Sequence, residues 1–259
     1  IYFKEFLEEN SYKDIIICKK KVIFFIPNAI TKWRVESFYS KEPETLEWID
    51  KFNDKKKILF WDIGANIGLY SIYAALKFKN IDITAFEPST NNLRILSRNI
   101  SKNNLQDKIK INQFPLTDKE NKYLDMQETE FVEGWSMNTF DQNIDFEGKN
   151  FLPKNKYKMY GTSIDYLLKN NILEIPNYIK IDVDGIEHLI LKGGINFLKH
   201  NDIKSISVEL NENFVEQYNE VLNVMKISNF FLKHKKHAKE FDNNKKFSKV
   251  YNFVFDKKI

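Results

Sequence analysis

A single cysteine, Cys18, excludes an internal disulfide, and no cluster of His and Cys suggests zinc. No ordered Ser, His and Asp set suggests a hydrolase. No run approaches the roughly 18 apolar residues that cross a membrane. A transmembrane segment is therefore not expected, and a cytoplasmic protein is. Residues 1–10 are acidic and aromatic, unlike a secretory signal. Excess charge of one sign is also missing: 40 basic side chains face 36 acidic ones, a net +4. That balance is too even to argue for nucleic-acid binding. There are no repeats and no low-complexity tracts. What remains is an ordinary globular composition, 42% hydrophobic and 29% charged, on 259 residues. That length suits one large domain with an added segment.

The stretch Ile58-Leu59-Phe60-Trp61-Asp62-Ile63-Gly64-Ala65-Asn66-Ile67-Gly68 says most. An apolar run ends in an acid, and a loop of small residues follows. An amphipathic stretch, Leu69 to Phe78, comes next. This is a strand, a glycine turn and a helix, the opening unit of a nucleotide-type α/β fold. Such a turn brings backbone close to a ligand, and the helix start offers free N–H groups. A dinucleotide site reads G-x-G-x-x-G and seats a pyrophosphate. Here the glycines are Gly64 and Gly68, and Asp62 precedes them. A buried carboxylate there repels a pyrophosphate and favours a cation, such as the ammonium of S-adenosylmethionine (SAM). The next strand, Ile81 to Phe86, ends at Glu87-Pro88. Glu87 is placed to accept hydrogen bonds from ribose hydroxyls.

Residues 1–57 read as an N-terminal cap. Asp14 to Cys18 and Val22 to Ile26 suggest a hairpin, and Pro43 to Phe52 a helix with Pro43 in its first turn. Leu46, Ile49 and Phe52 form a core stripe on that helix. Residues 58–259 then alternate strand and helix, which argues for a parallel sheet with right-handed crossovers. Strands are expected at 58–63, 81–86, 108–114, 178–183 and 205–210, and a closing antiparallel pair at 230–233 and 249–255. Residues 119–160 break the rhythm with no clean period and read as an irregular substrate-side insertion. Residues 233–249 carry seven Lys and two acids. This is a solvated loop or a contact for an anionic substrate or carrier.

At this point the motifs resemble the FkbM-type family of class I SAM-dependent methyltransferases. The matching residues run from Asp62 to Ser71, then Phe86-Glu87-Pro88, Leu116-Thr117-Asp118-Lys119-Glu120 and Thr162 to Leu167. Ile179-Lys180-Ile181-Asp182-Val183-Asp184-Gly185, Glu187 and Leu191-Lys192-Gly193 complete the set. Asp184 departs from the pattern, which usually has Glu there. The resemblance implies a Rossmann-like α/β fold with a seven-stranded, mostly parallel sheet whose last strand is antiparallel. It implies SAM at the carboxyl ends of the strands, near Asp62, Gly64, Ala65, Asn66, Gly68, Glu87, Pro88, Asp118 and Asp182. It further implies O-methylation of a sugar, surface glycan or glycolipid precursor.

A sugar hydroxyl is a weak acid, so methylating it needs a base or a metal to take up the developing charge. Asp182 ends a strand at the same edge as Asp62 and Glu87, and is the first candidate. Lys180 and Asp184 are secondary ones. Asp182, Glu209 and Asn211 together offer oxygen ligands of the kind Mg²⁺ takes. The expected partner is a small-molecule or glycan acceptor, with no nucleic acid. The alternatives are a methyltransferase for a non-sugar metabolite or a phosphoryl-linked group, an NAD-dependent oxidoreductase and a non-catalytic SAM-fold binding module.

Overall fold

The computed structural model describes residues 11–258; residues 1–10 lie outside it. Apolar strands of β-branched and aromatic residues form its centre. β3 (Ile58–Ile63), β4 (Ile81–Phe86) and β5 (Ile109–Asn112) pair in parallel on one side, and β9 (Tyr178–Ile181) and β10 (Ser205–Asn211) on the other. β11 (Phe230–Lys236) and β12 (Val250–Lys257) close the sheet. The order is β11-β12-β10-β9-β3-β4-β5, and β12 runs antiparallel to both neighbours. The seven-stranded, mostly parallel sheet expected from the motifs is therefore present. Strands β3 and β4 have the bounds read from the sequence, whereas β5 and β9 end two residues earlier.

Helices cover both faces. α3 (Leu69–Lys77) and α4 (Thr90–Lys102) follow β3 and β4, while α5 (Ile164–Lys169), α6 (Glu187–Lys192) and α7 (Val215–Ile227) serve the second half. Alternation along the strands sends Phe60 and Tyr178 into one apolar core, and Trp61, Ile63, Ile179 and Ile181 into the other. No helix among the described residues is long and apolar enough to cross a membrane.

The cap packs on the first of these cores. β1 (Tyr12–Ile17) and β2 (Lys20–Phe25) form the expected hairpin. Asn99 Oδ1 accepts from Phe25 N at 2.8 Å and Asn103 Oδ1 from Ile23 N at 2.9 Å, which ties the hairpin to α4. α1 (Ala29–Glu36) is a helix the sequence reading leaves out; Asn28 caps it through Thr31. α2 (Pro43–Ile49) follows, and Leu46, Ile49 and Phe52 are buried as its spacing suggests. The Phe52 ring stacks on Tyr178 at 3.8 Å.

Residues 119–160 are a correction. They are not an irregular insertion: β6 (Lys122–Glu128), β7 (Asn138–Phe140) and β8 (Asn155–Gly161) form a three-stranded antiparallel sheet in the order β7-β6-β8. The loop between β6 and β7 crosses back over the glycine turn.

Candidate active site

Strand register assembles the site. Asp62 on β3 pairs with Lys180 on β9, which pairs with Ser207 on β10. Side chains two residues apart share a face. Lys180, Asp182 and Glu209 therefore stand on one side of the sheet at its carboxyl edge, the side that α2 covers. Glu42, at the start of α2, meets them there. One oxygen from each of Glu42, Asp182 and Glu209 lies within 4.8 Å of the others.

Two ammonium groups offset these acids. Lys180 Nζ is 3.0 Å from Asp182 Oδ2 and 4.0 Å from Asp62 Oδ1, and Lys180 is only 1% exposed. Lys41 Nζ pairs with Glu42 Oε1. Burial alone would raise the Asp182 pKa, but Lys180 and Lys41 hold it below its ordinary value. Glu42 is held down by Lys41 in the same way against its burial. Burial together with the Asp182 and Glu42 charges pushes Glu209 well up. Burial, then Asp182, raises Asp184 to about 6.

The glycine turn lies beside this cluster. Gly64 N and Ala65 N both donate to Phe86 O at 3.0 Å, pinning the turn to β4. Glu87 follows β4; its Oε2 accepts from Asn66 N at 2.7 Å and its Oε1 from Ser89 N at 2.8 Å. Burial raises Glu87 to about 7 even though these N–H groups favour its charged form. A strap crosses above. Asn66 Nδ2 and Asn92 Nδ2 donate to Trp135 O at 3.1 and 2.9 Å, and Met137 N donates to Asp184 Oδ2 at 2.7 Å. Arg34 Nε from α1 donates to Gly134 O. Cap, strap and sheet edge enclose a cavity of about 420 Å³, large enough for a cofactor and the reacting part of an acceptor.

Of the residues named from sequence, Gly64, Asn66, Glu87, Pro88, Asp182, Asp184 and Glu209 border this cavity. Ala65 and Lys180 border a small recess beside it. Four others do not meet there. Asp62 is 0% exposed; Ser71 Oγ donates to its Oδ2 at 2.6 Å, and it serves as a counter-ion to Lys180 behind the turn. Gly68 (φ +87°) starts α3, and a Cβ there would meet Leu96 Cδ1 at 2.5 Å. Asp118 faces Lys192 at 3.7 Å, beside the helix that follows β9. Asn211 spends its amide on its own surroundings: Nδ2 donates to Phe146 O, and Oδ1 accepts from Asn213 N.

Two roles also change. Gly64 (φ +82°) is required by protein rather than ligand, since a Cβ there would lie 1.8 Å from the Asp182 carbonyl oxygen. The turn after β9 is capped by Glu187, which accepts from Val183 N at 3.0 Å and Gly185 N at 3.1 Å. Asp182 is thereby left free of that task. The sequence reading missed Glu42, Lys41, Arg34 and Trp135. The Lys41-Glu42-Pro43 order marks a helix start, but only the folded cap brings it to Asp182.

Three of the seven lysines in the basic run are paired with acids. Lys233, Lys235 and Lys236 pair with Asp256, Glu212 and Glu47. The later part of the run, between β11 and β12, folds inward, so that Phe241, Asn244 and Phe247 border the cavity.

Residues 62–237 match the Methyltransferase FkbM domain. No curated protein matches the chain. Among solved structures, the methyltransferase FkbM from Methylobacillus flagellatus superposes with a TM-score of 0.54 at 14% identity, over 88% of this chain and 52% of that one. This chain thus spans about half of that protein's length. A proposed rRNA methylase from Clostridium thermocellum gives a TM-score of 0.50 at 9% identity, over 83% of this chain and 94% of that one. At these identities the likeness is one of fold.

Proposed function

The chain belongs to the FkbM family of methyltransferases, which take the methyl group from SAM, and from that premise we propose that it methylates a hydroxyl of a sugar, surface glycan or glycolipid precursor. The observation that carries this reading is the joining of two half-sites in one cavity. Glu87 and the glycine turn form the donor half, and the carboxylate cluster around Asp182 forms the other.

Bound in this cavity, SAM would supply an activated methyl group for an acceptor oxygen. The protein's own residues bind, orient and exclude water. Glu87 receives the ribose hydroxyls. Asn66 borders the methionine side. Arg34 and Lys41, both on the cavity wall, are the cations available to a carboxylate there. Asp182 accepts the hydrogen bond of the acceptor hydroxyl. As the O–C bond forms, the proton would pass to Asp182, which is kept ionised, with Glu42 and Glu209 close beside it. Lys180 cannot be the base. Burial opposes its charge, but Asp182 and Asp62 outweigh burial and hold it protonated. It positions Asp182 instead. Asp184 has one oxygen committed to the strap.

A divalent cation does not fit this cluster. Asp182 and Glu42 each already carry an ammonium partner, and Asn211 points elsewhere. The working assay follows methyl-labelled SAM into a panel of sugars, sugar nucleotides and glycans, with RNA and non-sugar metabolites as contrasts. Transfer to sugar hydroxyls that persists in EDTA is expected. Transfer confined to RNA or to non-sugar acceptors would overturn the reading.

A further inference from the structure

The register that builds the methyl-transfer cluster continues one strand further. Glu209 on β10 pairs with Asn252 on β12. Asn252 Nδ2 donates to Glu44 Oε1 at 2.8 Å. Glu44 is 4% exposed and borders the cavity, yet its Oε2 has no partner. A bare, buried carboxylate oxygen is costly unless a ligand brings a donor to it. Among the described residues, three buried side-chain atoms on residues bordering this cavity lack a partner: Glu44 Oε2, Asn66 Oδ1 and Asn138 Oδ1. All three are acceptors. The Asn66 assignment is fixed, because its Nδ2 donates to Trp135 O. Asn66 serves the donor half, and Glu44 the opposite wall.

Charge points the same way. Glu42, Glu44, Glu87, Asp182, Asp184 and Glu209 border the cavity against Arg34 and Lys41, and Lys41 is already paired. Even with Lys180 behind Asp182, the acids outnumber the cations, and an anion entering beside Glu44 meets a lining richer in carboxylates than in ammonium groups. Aromatic rings border the same cavity. Phe247 stacks on Phe146 at 5.4 Å, and Tyr251 is held by His237, stacked at 4.1 Å, and by the Lys235 ammonium over its ring. A wall of aromatic faces with a few fixed acceptors suits a ring with C–H faces and hydroxyl edges.

We propose that Glu44 and Asn252, with the Phe247 and Tyr251 rings, form the acceptor subsite, and that it takes an uncharged, hydroxyl-bearing ring and rejects its phosphorylated or carboxylated counterpart. This rests on the sugar-methyltransferase reading and narrows it, against the phosphoryl-linked alternative. Glu44 orients the ring by accepting a hydroxyl hydrogen, while Asn252 holds the carboxylate in place.

The test uses the full chain loaded with S-adenosylhomocysteine. Methyl glycosides of common hexoses are each paired with their phosphate ester, and binding is followed by ligand-observed NMR. The neutral member of at least one pair should bind about 10-fold or more tightly than its ester. Glu44→Gln should narrow that gap about 10-fold, the scale of one charged contact, with S-adenosylhomocysteine affinity unchanged. Equal or tighter binding of the esters, no binding by any pair, or an unchanged gap in Glu44→Gln overturns the subsite. The wild-type comparison decides the selectivity even if the variant fails to fold. Methyl transfer to phosphorylated sugars would remove the subsite and leave the sugar reading standing. SAM binding with transfer only to non-sugar acceptors would remove both.

Discussion

Glu87 and Asp182 stand two strands apart at the same edge of the sheet, both beside the cavity, and their charges are held in different ways. Glu87 is surrounded by dipoles: the N–H groups of Asn66 and Ser89. Burial wins there, and its pKa rises to about 7. Asp182 has a full ammonium at 3.0 Å, and despite burial it is held below its usual range. Partial charges leave a buried acid titratable near neutrality, whereas an ion pair fixes it. The Glu87 side of the cavity therefore holds an acid that titrates near neutrality. The Asp182 side is set when the chain folds. The contrast says where substitutions should damage the fold and where they should damage only binding.

The largest effect should come from the ammonium. Lys180→Met leaves Asp62 and Asp182 without their shared counter-ion in a dry setting. Breaking a buried pair in this way costs about 3–5 kcal/mol, to be read from chemical denaturation. Adding Asp62→Asn should recover part of the loss, since the amide oxygen can still accept from Ser71 and the side chain no longer brings a charge. A cost below about 1 kcal/mol would place Lys180 among ordinary surface pairs and break the comparison.

Asp182→Asn should come next. The amide keeps the size of the side chain and cannot take a proton, so kcat should fall about 10²-fold or more. SAM affinity should stay near the wild-type value, because Glu87 and the turn are untouched. Near-normal turnover would remove Asp182 from the proton path and shift attention to Glu42 and Glu209.

These two expectations concern the half of the site that the sequence reveals only in part. Asp182 and Glu209 were legible because each closes an apolar strand run, and strand ends converge at one edge. Asp62 was legible as a buried acid, but its job was not. Strand register puts it beside Lys180, and register does not show in one strand alone. Glu42, Glu44 and Lys41 were hidden because the cap meets the edge only after the whole chain has folded. They also lie outside the stretch that matches the family, residues 62–237. The sheet of β6, β7 and β8 was missed although a signal existed. In Asn155–Gly161, Lys156, Lys158 and Tyr160 are exposed while Tyr157 and Met159 are half-buried. That period of two is short, and Gly148 and Pro153 just before it are turn residues that interrupt the pattern.

On the donor side, Glu87→Gln is a cleaner probe than Glu87→Ala. Alanine would strand both N–H groups, of Asn66 and Ser89, and loosen the turn itself. Glutamine keeps one accepting oxygen and removes the charge. SAM binding should weaken by about 10-fold, the lower end for losing a charged hydrogen bond, at a stability cost of about 1 kcal/mol for the one backbone N–H left facing an amide N–H₂. The contrast with Lys180→Met is the point: a loss of binding here, a loss of fold there. An unchanged dissociation constant would remove Glu87 from the ribose.

The smallest effect is also the one that most directly tests that titration. A carboxylate whose folded pKa is raised binds an extra proton between its ordinary value and the raised one. In the ligand-free protein, Glu87 therefore gives stability that declines as pH rises from about 4.5 toward about 7. Ribose hydroxyls donate to the charged form, so bound SAM should lower this pKa and expel a proton. Affinity should then rise with pH and level off above about 7. It should be weaker by roughly 10-fold at about pH 6 than on the plateau. Arg34 and Asp184 also border the cavity, and Asp184 is raised to about 6, so some slope at lower pH can come from it. Glu87→Gln separates the two, because it should flatten the profile above about pH 6 and leave only the lower limb. Calorimetry in buffers of different ionisation heat counts the proton directly. No proton release near neutrality, or a slope that survives Glu87→Gln, would mean that Glu87 is held as firmly as Asp182, and the contrast between the two halves of the site would fail.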